Sequence, residues 1–357
     1  MRILAVNPGS TSTKISIFDN GETVWTHKLN HSSEELAPFG TNIFDQYEFR
    51  YDVIVSAMEE AGYPVESLQG VVGRGGLVKP IPGGTYIVDD NLLADLRTGI
   101  LGQHASNLGG PIAHEIAQKA CCSSYIVDPV VVDEMEPIAR YTGNPALTRR
   151  SIFHALNQKA VARKAAEELG REYSDCNFIV VHLGGGISVG AHRKGQVVDV
   201  NNALDGDGPF TPERSGGLPA GDLAKLCFSG EYTLDQVKKM IKGNGGIVAY
   251  LGTNDMLEVE NEVERGNQRW LEVYQAMAYQ IAKEIGAMAA VLNGEVDAVV
   301  ITGGIAYDRK FTSWITEKVS FIGTVKVYPG EMEMEALALG ALRVLQGREK
   351  PRVYDPE

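Results

Sequence analysis

Three stretches of this chain set glycines and small hydroxyl residues directly after an apolar run: Asn7 to Lys14 ("NPGSTSTK") after Ile3–Val6, Gly184-Gly185-Gly186 after "FIVVHL", and Gly303-Gly304 after "AVVIT". Glycine permits close backbone approach and unusual dihedral angles, so such tips can turn N–H groups and hydroxyls toward an anion. Two arginines stand in loops with no basic neighbour, Arg74 in "VGRGG" and Arg214 in "PFTPERSGG". A guanidinium fork matches an oxyanion bidentately, and cations are needed wherever phosphate charge moves. Each feature has a plainer explanation, a tight turn for the tips and a solvated surface role for an isolated arginine. Three tips and two arginines in one chain favour phosphate chemistry over five coincidences. Neither GxxxxGK[ST] nor a GxGxxG after the first strand is present, which demotes the two common nucleotide folds.

His104, His154 and His182 lie beside glycine or apolar runs, and spacing does not choose among them, because a lone histidine is usually a satisfied core or surface residue. Asp128 ends the apolar run of "YIVDPVV", where α/β folds place site residues. It can equally be a turn aspartate before proline.

A chain of 357 residues exceeds one hydrophobic core, so two domains with a ligand-binding cleft are expected. Composition, 44% hydrophobic and 22% charged, is that of an ordinary globular protein. Thirty-three basic against forty-six acidic residues give a net charge of −13, which argues against nucleic acid or an anionic membrane as partner. Any phosphate must therefore be met by local cations. The four cysteines (adjacent Cys121 and Cys122, solitary Cys176 and Cys227) lack zinc or redox spacing, and buried free thiols are expected. With no basic-then-apolar leader and no run of 18 apolar residues, a cytoplasmic protein is expected.

Strand patterns at 2–6, 13–18, 69–73, 84–88 and 125–132 alternate with helical ones near 45–62, 90–98 and 108–120, a mixed α/β first half. Residues 148–170 read as one joining helix ending at Gly170. Strand, glycine tip and returning strand then recur over 178–200, which suggests an internal duplication. Helices follow near 219–228, 233–242, 253–264 and 267–293, then a strand at 298–304 and a last helix near 333–346.

Taken together, "VNPGSTSTK", "VVGRGGLVKPIPGGTY", "GQHASNLGGP", "IVDPVVVDE", "RRSIFHALNQKAVAR", "VVHLGGGISVGAHRKGQVVDVNNALDGDGPFTPERSG", "VITGGIA" and "YPGEMEMEALALGALRVL" resemble the acetate and butyrate kinase family of carboxylate kinases along essentially the whole chain. The resemblance implies the fold of the acetate and sugar kinase, heat-shock chaperone and actin superfamily. That is a pair of duplicated actin-like (ribonuclease H-like) α/β domains on mixed five-stranded sheets, with the nucleotide in the cleft. It implies an acyl-substrate domain from 1–150 plus about 333–357, and a nucleotide-binding domain from 151–332. ATP or ADP, Mg²⁺ and a short-chain carboxylate are the implied ligands, and a homo-oligomer is the implied assembly.

Residue by residue, the resemblance places Asn7 near the metal with Glu333, whose neighbours Glu331 and Glu335 leave the register open. Ser10 and Ser12 flank the phosphoryl site, and Lys14 follows on the returning strand. Arg74 holds the carboxylate, His104 and Phe153 join it on the acyl side, and Asp128 orients the site. Arg214 and His154 meet the phosphoryl group. His182, Gly184, Gly185 and Gly186 approach the nucleotide phosphates, Asp255 the adenosine, and Gly303 with Gly304 forms the second nucleotide loop. The compact "GRGG" replaces an "HRVVHGG"-like segment of acetate kinases, "HLGGG" an "HLGNG"-like tip, and "NNALDGDGPF" also differs. These departures match the butyrate-kinase side of the family and leave room for a longer or branched acid. Reversible phosphoryl transfer from ATP to such an acid is the expected reaction. A sugar or polyol kinase using Asp128 as base, and a chaperone-like or filament module, remain as alternatives.

Overall fold

The computed structural model describes residues 1–40 and 42–355. The opening apolar run folds as foreseen, because Ile3, Leu4, Ala5 and Val6 are all fully buried between two helical layers. Strands β1 (Arg2–Pro8), β2 (Ser12–Asp19) and β3 (Glu22–Asn30) form an antiparallel meander, and β1 runs parallel to β4 (Gly70–Arg74). Further out lie β5 (Thr85–Ile87) and β6 (Ser123–Val127), giving the order β3-β2-β1-β4-β6-β5. Leu4, Val6, Ile15 and Ile17 pack one sheet face against helices Tyr47–Glu60 and Gly109–Lys119. Helix Glu333–Leu345 packs on β1, β4 and β6. Gly73 and Gly109 bring strand and helix together, since a Cβ on Gly73 would lie 2.0 Å from the Gly109 carbonyl oxygen.

The second sheet repeats the plan. Strands β7 (Asn177–Leu183), β8 (Ile187–Arg193) and β9 (Gln196–Val200) form the meander, and β10 (Ala298–Gly303) and β11 (Thr324–Pro329) add in parallel, in the order β11-β10-β7-β8-β9. Each sheet therefore has three antiparallel strands followed by two parallel ones beside the first, the duplicated actin-like arrangement. The first sheet has six strands rather than five, because the short β5 pairs antiparallel with the outer edge of β6.

The chain divides into two compact units, Met1–Val132 with Met332–Glu357, and Asp133–Glu331. Residues 133–150, expected with the first domain, are tied into the second unit. The Glu136 N–H donates to the Val198 carbonyl (2.9 Å), Arg149 pairs with Asp199 (2.9 Å), and Lys159 pairs with Glu134 at 2.9 Å with both side chains buried. The joining helix is shorter than expected, Ala155–Glu168. Residues ahead of it stay extended because the Ile152 carbonyl accepts from the Ala203 N–H and Arg149 donates to the Ala139 and Val200 carbonyls. Gly170 closes the helix at φ 67°. All four cysteines are free thiols, but only Cys176 is buried; Cys121 and Cys227 are exposed, contrary to expectation.

Candidate active site

In the first unit, strand ends gather three of the expected residues. Asn7 lies near the end of β1 and Arg74 ends the neighbouring β4, while Glu333 opens the helix packed on them. Glu333 Oε2 accepts from Asn7 Nδ2 and from Arg74 Nη1, both at 2.8 Å, and Arg74 Nη1 also reaches Asn7 Oδ1 at 3.2 Å. Arg74 and Glu333 are both part-exposed, at 33% and 19% of the side chain, so the pair is held without being sealed from ligand. Of the three nearby glutamates, Glu333 is the one joined to Asn7; Glu331 falls in the second unit, and Glu335 is half-buried on the helix. Lys14 stands opposite Asn7 in the β1–β2 register, which puts both side chains on one sheet face. Ser10 and Ser12 sit at the tip between these strands, closed by the Gly9 N–H donating to the Ser12 carbonyl (2.7 Å).

Asp128 and His104 serve local structure. Asp128 is 1% exposed, adopts φ 38°, and accepts the Gly84 N–H at 2.7 Å, so its carboxylate anchors the 82–84 loop. Such left-handed strain at a non-glycine residue is tolerated where the surroundings over-determine it. His104 is exposed and caps the short turn 105–108, its Nδ1 accepting the Ser106 N–H. Asn107 ties that turn to the loop after Arg74 by accepting the Leu77 N–H at 2.9 Å.

In the second unit, the β7–β8 tip and the turn after β10 line one cavity of about 280 Å³, with Gly184, Gly185, Gly304, Asn254, Met256 and Glu331 in its wall. Gly303 is required where it stands: φ is 95°, and a Cβ would lie 2.2 Å from the Leu183 carbonyl oxygen. Gly303→Ala is therefore expected to destabilise the fold by roughly 2–4 kcal/mol, read as a lowered chemical-denaturation midpoint. Asp255 is not in the wall; its carboxylate caps helix Met256–Glu264 by accepting the Leu257 and Glu258 N–H groups, while its neighbours Asn254 and Met256 face the cavity.

Arg214 crosses the same tip. A Cβ on Gly186 would lie 2.0 Å from Arg214 Nη1, so glycine is what lets the guanidinium lie there. Nη1 donates to the Ala203 carbonyl, Nη2 is 4.0 Å from Glu213, and Nε is buried with no hydrogen-bond partner among the described residues. Burial pulls the Arg214 pKa below the usual arginine range, with Glu213 acting in the opposite direction. A desolvated cation with an unused donor beside a glycine tip has the chemistry to bind an anionic oxygen. His154 and His182 stack with ring centroids 3.8 Å apart and planes within 10°. His182 Nε2 is 3.7 Å from Glu331, and its Nδ1 bonds Asn157 Oδ1 at 3.0 Å. Phe153, just before His154, is buried at 2% exposure.

Residues 135–330 match the Acetokinase family. Over 353 residues, 99% of each chain, the sequence is 56% identical to a protein named butyrate kinase 2 from Clostridium acetobutylicum. The chain belongs to the acetokinase family. Membership makes it an ATP-dependent phosphotransferase with a carboxyl group as acceptor. Two solved structures share the fold. The acetate kinase of Porphyromonas gingivalis superposes with a TM-score of 0.81 at 20% identity, covering 96% of this chain and 99% of that one. That of Entamoeba histolytica gives 0.78 at 16% identity, covering 97% and 100%.

The acetokinase motifs did not reveal Arg50. It is fully buried on helix Tyr47–Glu60 beneath the first tip, donating to the carbonyls of Gly9 (2.9 Å), Ser10 (3.0 Å) and Ser12 (3.3 Å). In sequence it is one arginine of an amphipathic helix, and nothing in "QYEFRYD" separates an inward from an outward guanidinium.

Proposed function

We propose that this protein transfers the γ-phosphoryl group of ATP reversibly to butyrate or a related short or branched-chain fatty acid, giving an acyl phosphate. What carries the reading is Arg214, desolvated, with a buried Nε that has no partner among the described residues, and held across the Gly184–Gly186 tip. The acid is suggested by near-full-length similarity to a protein named butyrate kinase 2. On this reading the unit containing Arg74 takes the acid and the unit containing the cavity takes the nucleotide. On this reading the enzyme works in the cytoplasm and assembles as a homo-oligomer. Separately, no helix among the described residues is long and apolar enough to cross a membrane.

A short carboxylic acid has a pKa of roughly 4 to 5, so the nucleophile is ionised at neutral pH and no general base is needed. The barrier is instead the approach of an anion to a polyanion, which positioning and charge neutralisation lower. Arg74, cross-braced by Glu333 and Asn7, orients the carboxylate. Ser10 and Ser12 supply hydroxyls from the β1–β2 tip, and Arg214 with His154 gathers the charge that spreads over the phosphoryl oxygens. Gly184, Gly185 and Gly304 offer backbone to the nucleotide phosphates, and His182 lies beneath them. Asp128, sealed and bonded to the Gly84 N–H, is badly placed to deprotonate a sugar hydroxyl.

The Asn7–Glu333 pair fits Mg²⁺. Magnesium takes oxygen donors and usually one or two carboxylates with water and substrate phosphate rather than a protein cage. No group of three or more His, Cys, Asp or Glu side chains suited to a metal occurs among the described residues, while Glu333 Oε1 has no hydrogen-bond partner among them. When bound, the ion supplies charge neutralisation on the phosphates.

Hydroxylamine trapping tests the reaction, because only an acyl phosphate yields a coloured hydroxamate. With ATP and straight or branched C2 to C6 acids, C4 and C5 acids should react best. Neighbours in the series should differ by only about fourfold in kcat/KM, since a methylene is worth about 0.8 kcal/mol. No hydroxamate from any acid, with ATP consumed on glycerol or hexoses, would move the protein to the sugar kinases.

A further inference from the structure

A chain of side chains runs from His154 through the core of the second unit to Tyr173. His154 Nδ1 meets Ser188 Oγ at 2.9 Å, and Ser188 Oγ meets Gln158 Nε2 at 2.7 Å. Gln158 Oε1 meets His192 Nε2 at 2.9 Å, and His192 Nδ1 meets the Tyr173 hydroxyl at 2.7 Å. Ser188, Gln158 and His192 are all fully buried. Gly190 makes the space, because a Cβ there would stand 2.7 Å from Gln158 Oε1.

The direction of every bond follows from one acceptor that cannot donate. Gln158 Nε2 also lies 3.0 Å from the Ser188 backbone carbonyl, so the amide nitrogen must face Ser188; reversed, it would set oxygen against oxygen. The amide oxygen then faces His192 Nε2, which must carry hydrogen. Burial, with Lys159 and Arg163 adding to it, holds the His192 pKa well below the ordinary histidine value, so the ring is neutral and its Nδ1 accepts from Tyr173. At the other end, Ser188 Oγ receives the Gln158 N–H, and its single hydrogen has one acceptor among the described residues, His154 Nδ1. Any other arrangement strands a buried hydroxyl hydrogen, costing about 1–3 kcal/mol.

We propose that Ser188, Gln158 and His192 are positioning residues that hold His154 as its Nε2–H tautomer, so that the ring offers a donor and not a lone pair to an anionic phosphoryl oxygen. This rests on the reading that His154 meets that oxygen. A neutral imidazole in the other tautomer would present negative density to the migrating group, which repels it.

Long-range ¹H–¹⁵N spectra of the full chain labelled at histidine, without substrates and at about pH 8 where a free imidazole is neutral, read the tautomer directly. A His154→Gln sample assigns the resonances. In the wild type, Nδ1 should appear as the bare nitrogen and Nε2 as the protonated one. Ser188→Ala removes the donor and should give a tautomer mixture. Gln158→Glu places a carboxylate against the Ser188 hydroxyl, draws its hydrogen away and should convert His154 to Nδ1–H. Both variants should lose kcat, by about 10- to 10⁴-fold given what a wrong histidine tautomer costs elsewhere, with acid KM changed no more than about threefold. If Gln158→Glu fails to fold, the smaller Ser188→Ala change decides. An Nδ1–H ring in the wild type, or an unchanged ring in a folded variant, overturns the proposal. Because the spectra need no substrate, that outcome is separate from a failed hydroxamate assay.

Discussion

Arg214→Ala should lower kcat by about 10³- to 10⁵-fold, the range for a cation that stabilises transferring phosphoryl charge. KM for the acid should change much less, since an interaction realised in the transition state is lost mainly from kcat. The side chain is 19% exposed, and its position over Gly186 leaves Nε buried and unbonded among the described residues. Its desolvation is thus tolerated in the ground state and recovered when an anion arrives. Arg214→Lys should regain little, because an ammonium offers a point charge where the site is built for a planar fork. Stability should hardly suffer: the Ala203 carbonyl loses a donor, but a poorly solvated cation is removed with it. Steady-state kinetics with a thermal melt of each variant checks the pair, and a folded Arg214→Ala enzyme within tenfold of wild-type kcat would take Arg214 out of the mechanism.

How much of this was legible in the letters depends on burial. The strands β1, β7 and β10 announce themselves because they are buried on both faces and read as unbroken apolar runs. Strand β3 went unseen because "ETVWTHKLN" lies on a sheet edge with no fully buried residue, so packing imposes no period on it. Strand β11 was missed for the same reason. The tips 9–12, 184–186 and 303–304 were legible as glycine and hydroxyl clusters after apolar runs, and at Gly186 and Gly303 the glycine answers a steric demand. What composition could not give is partnership across distance. That Glu333 binds Arg74 and Asn7, and that Asp255 is spent on a helix cap, depends on contacts the chain order does not encode.

The duplication, weak in sequence, is plain in the strand register. Asn7 faces Lys14 and precedes the β1 tip; His182 faces Ser188 and precedes the β7 tip. β4 and β10 lie parallel to β1 and β7, and each leads into a glycine pair, Gly75-Gly76 just after β4 and Gly303-Gly304 at the end of β10. One backbone plan thus supplies two strand-end tips, and the residues added at equivalent positions differ in chemistry. The first unit has an amide, an arginine and a carboxylate, which suit an acid and a metal. The second has stacked imidazoles and open glycines, which suit a polyphosphate.

Arg50→Met should be the most damaging change away from those ends. Its guanidinium reaches Gly9, Ser10 and Ser12 carbonyls, the Thr13 hydroxyl at 3.0 Å and Gln46 Oε1, all neutral oxygens. Burial pushes its pKa down to about 10, which still leaves it charged at neutral pH. The desolvation is offset because no smaller group can bond three carbonyls of the tip at once. Methionine fills the volume but leaves the Gly9 and Ser10 carbonyls without a donor, the Ser12 carbonyl keeping the Gly9 N–H, at about 1–3 kcal/mol for each one that water cannot reach. A total of roughly 2–5 kcal/mol, or a fall of about 5–15 °C in Tm for a unit of this size, is expected. Turnover should fall by about 10²-fold as well, since a displacement near 1 Å of Ser10 and Ser12 is enough for that. Arg50→Lys separates charge from geometry: it keeps the cation and restores at most one carbonyl bond, so its Tm should lie between the two while kcat stays close to that of Met. If Met melts with the wild type and turns over normally, the tip holds its own shape and the buried guanidinium is a passenger.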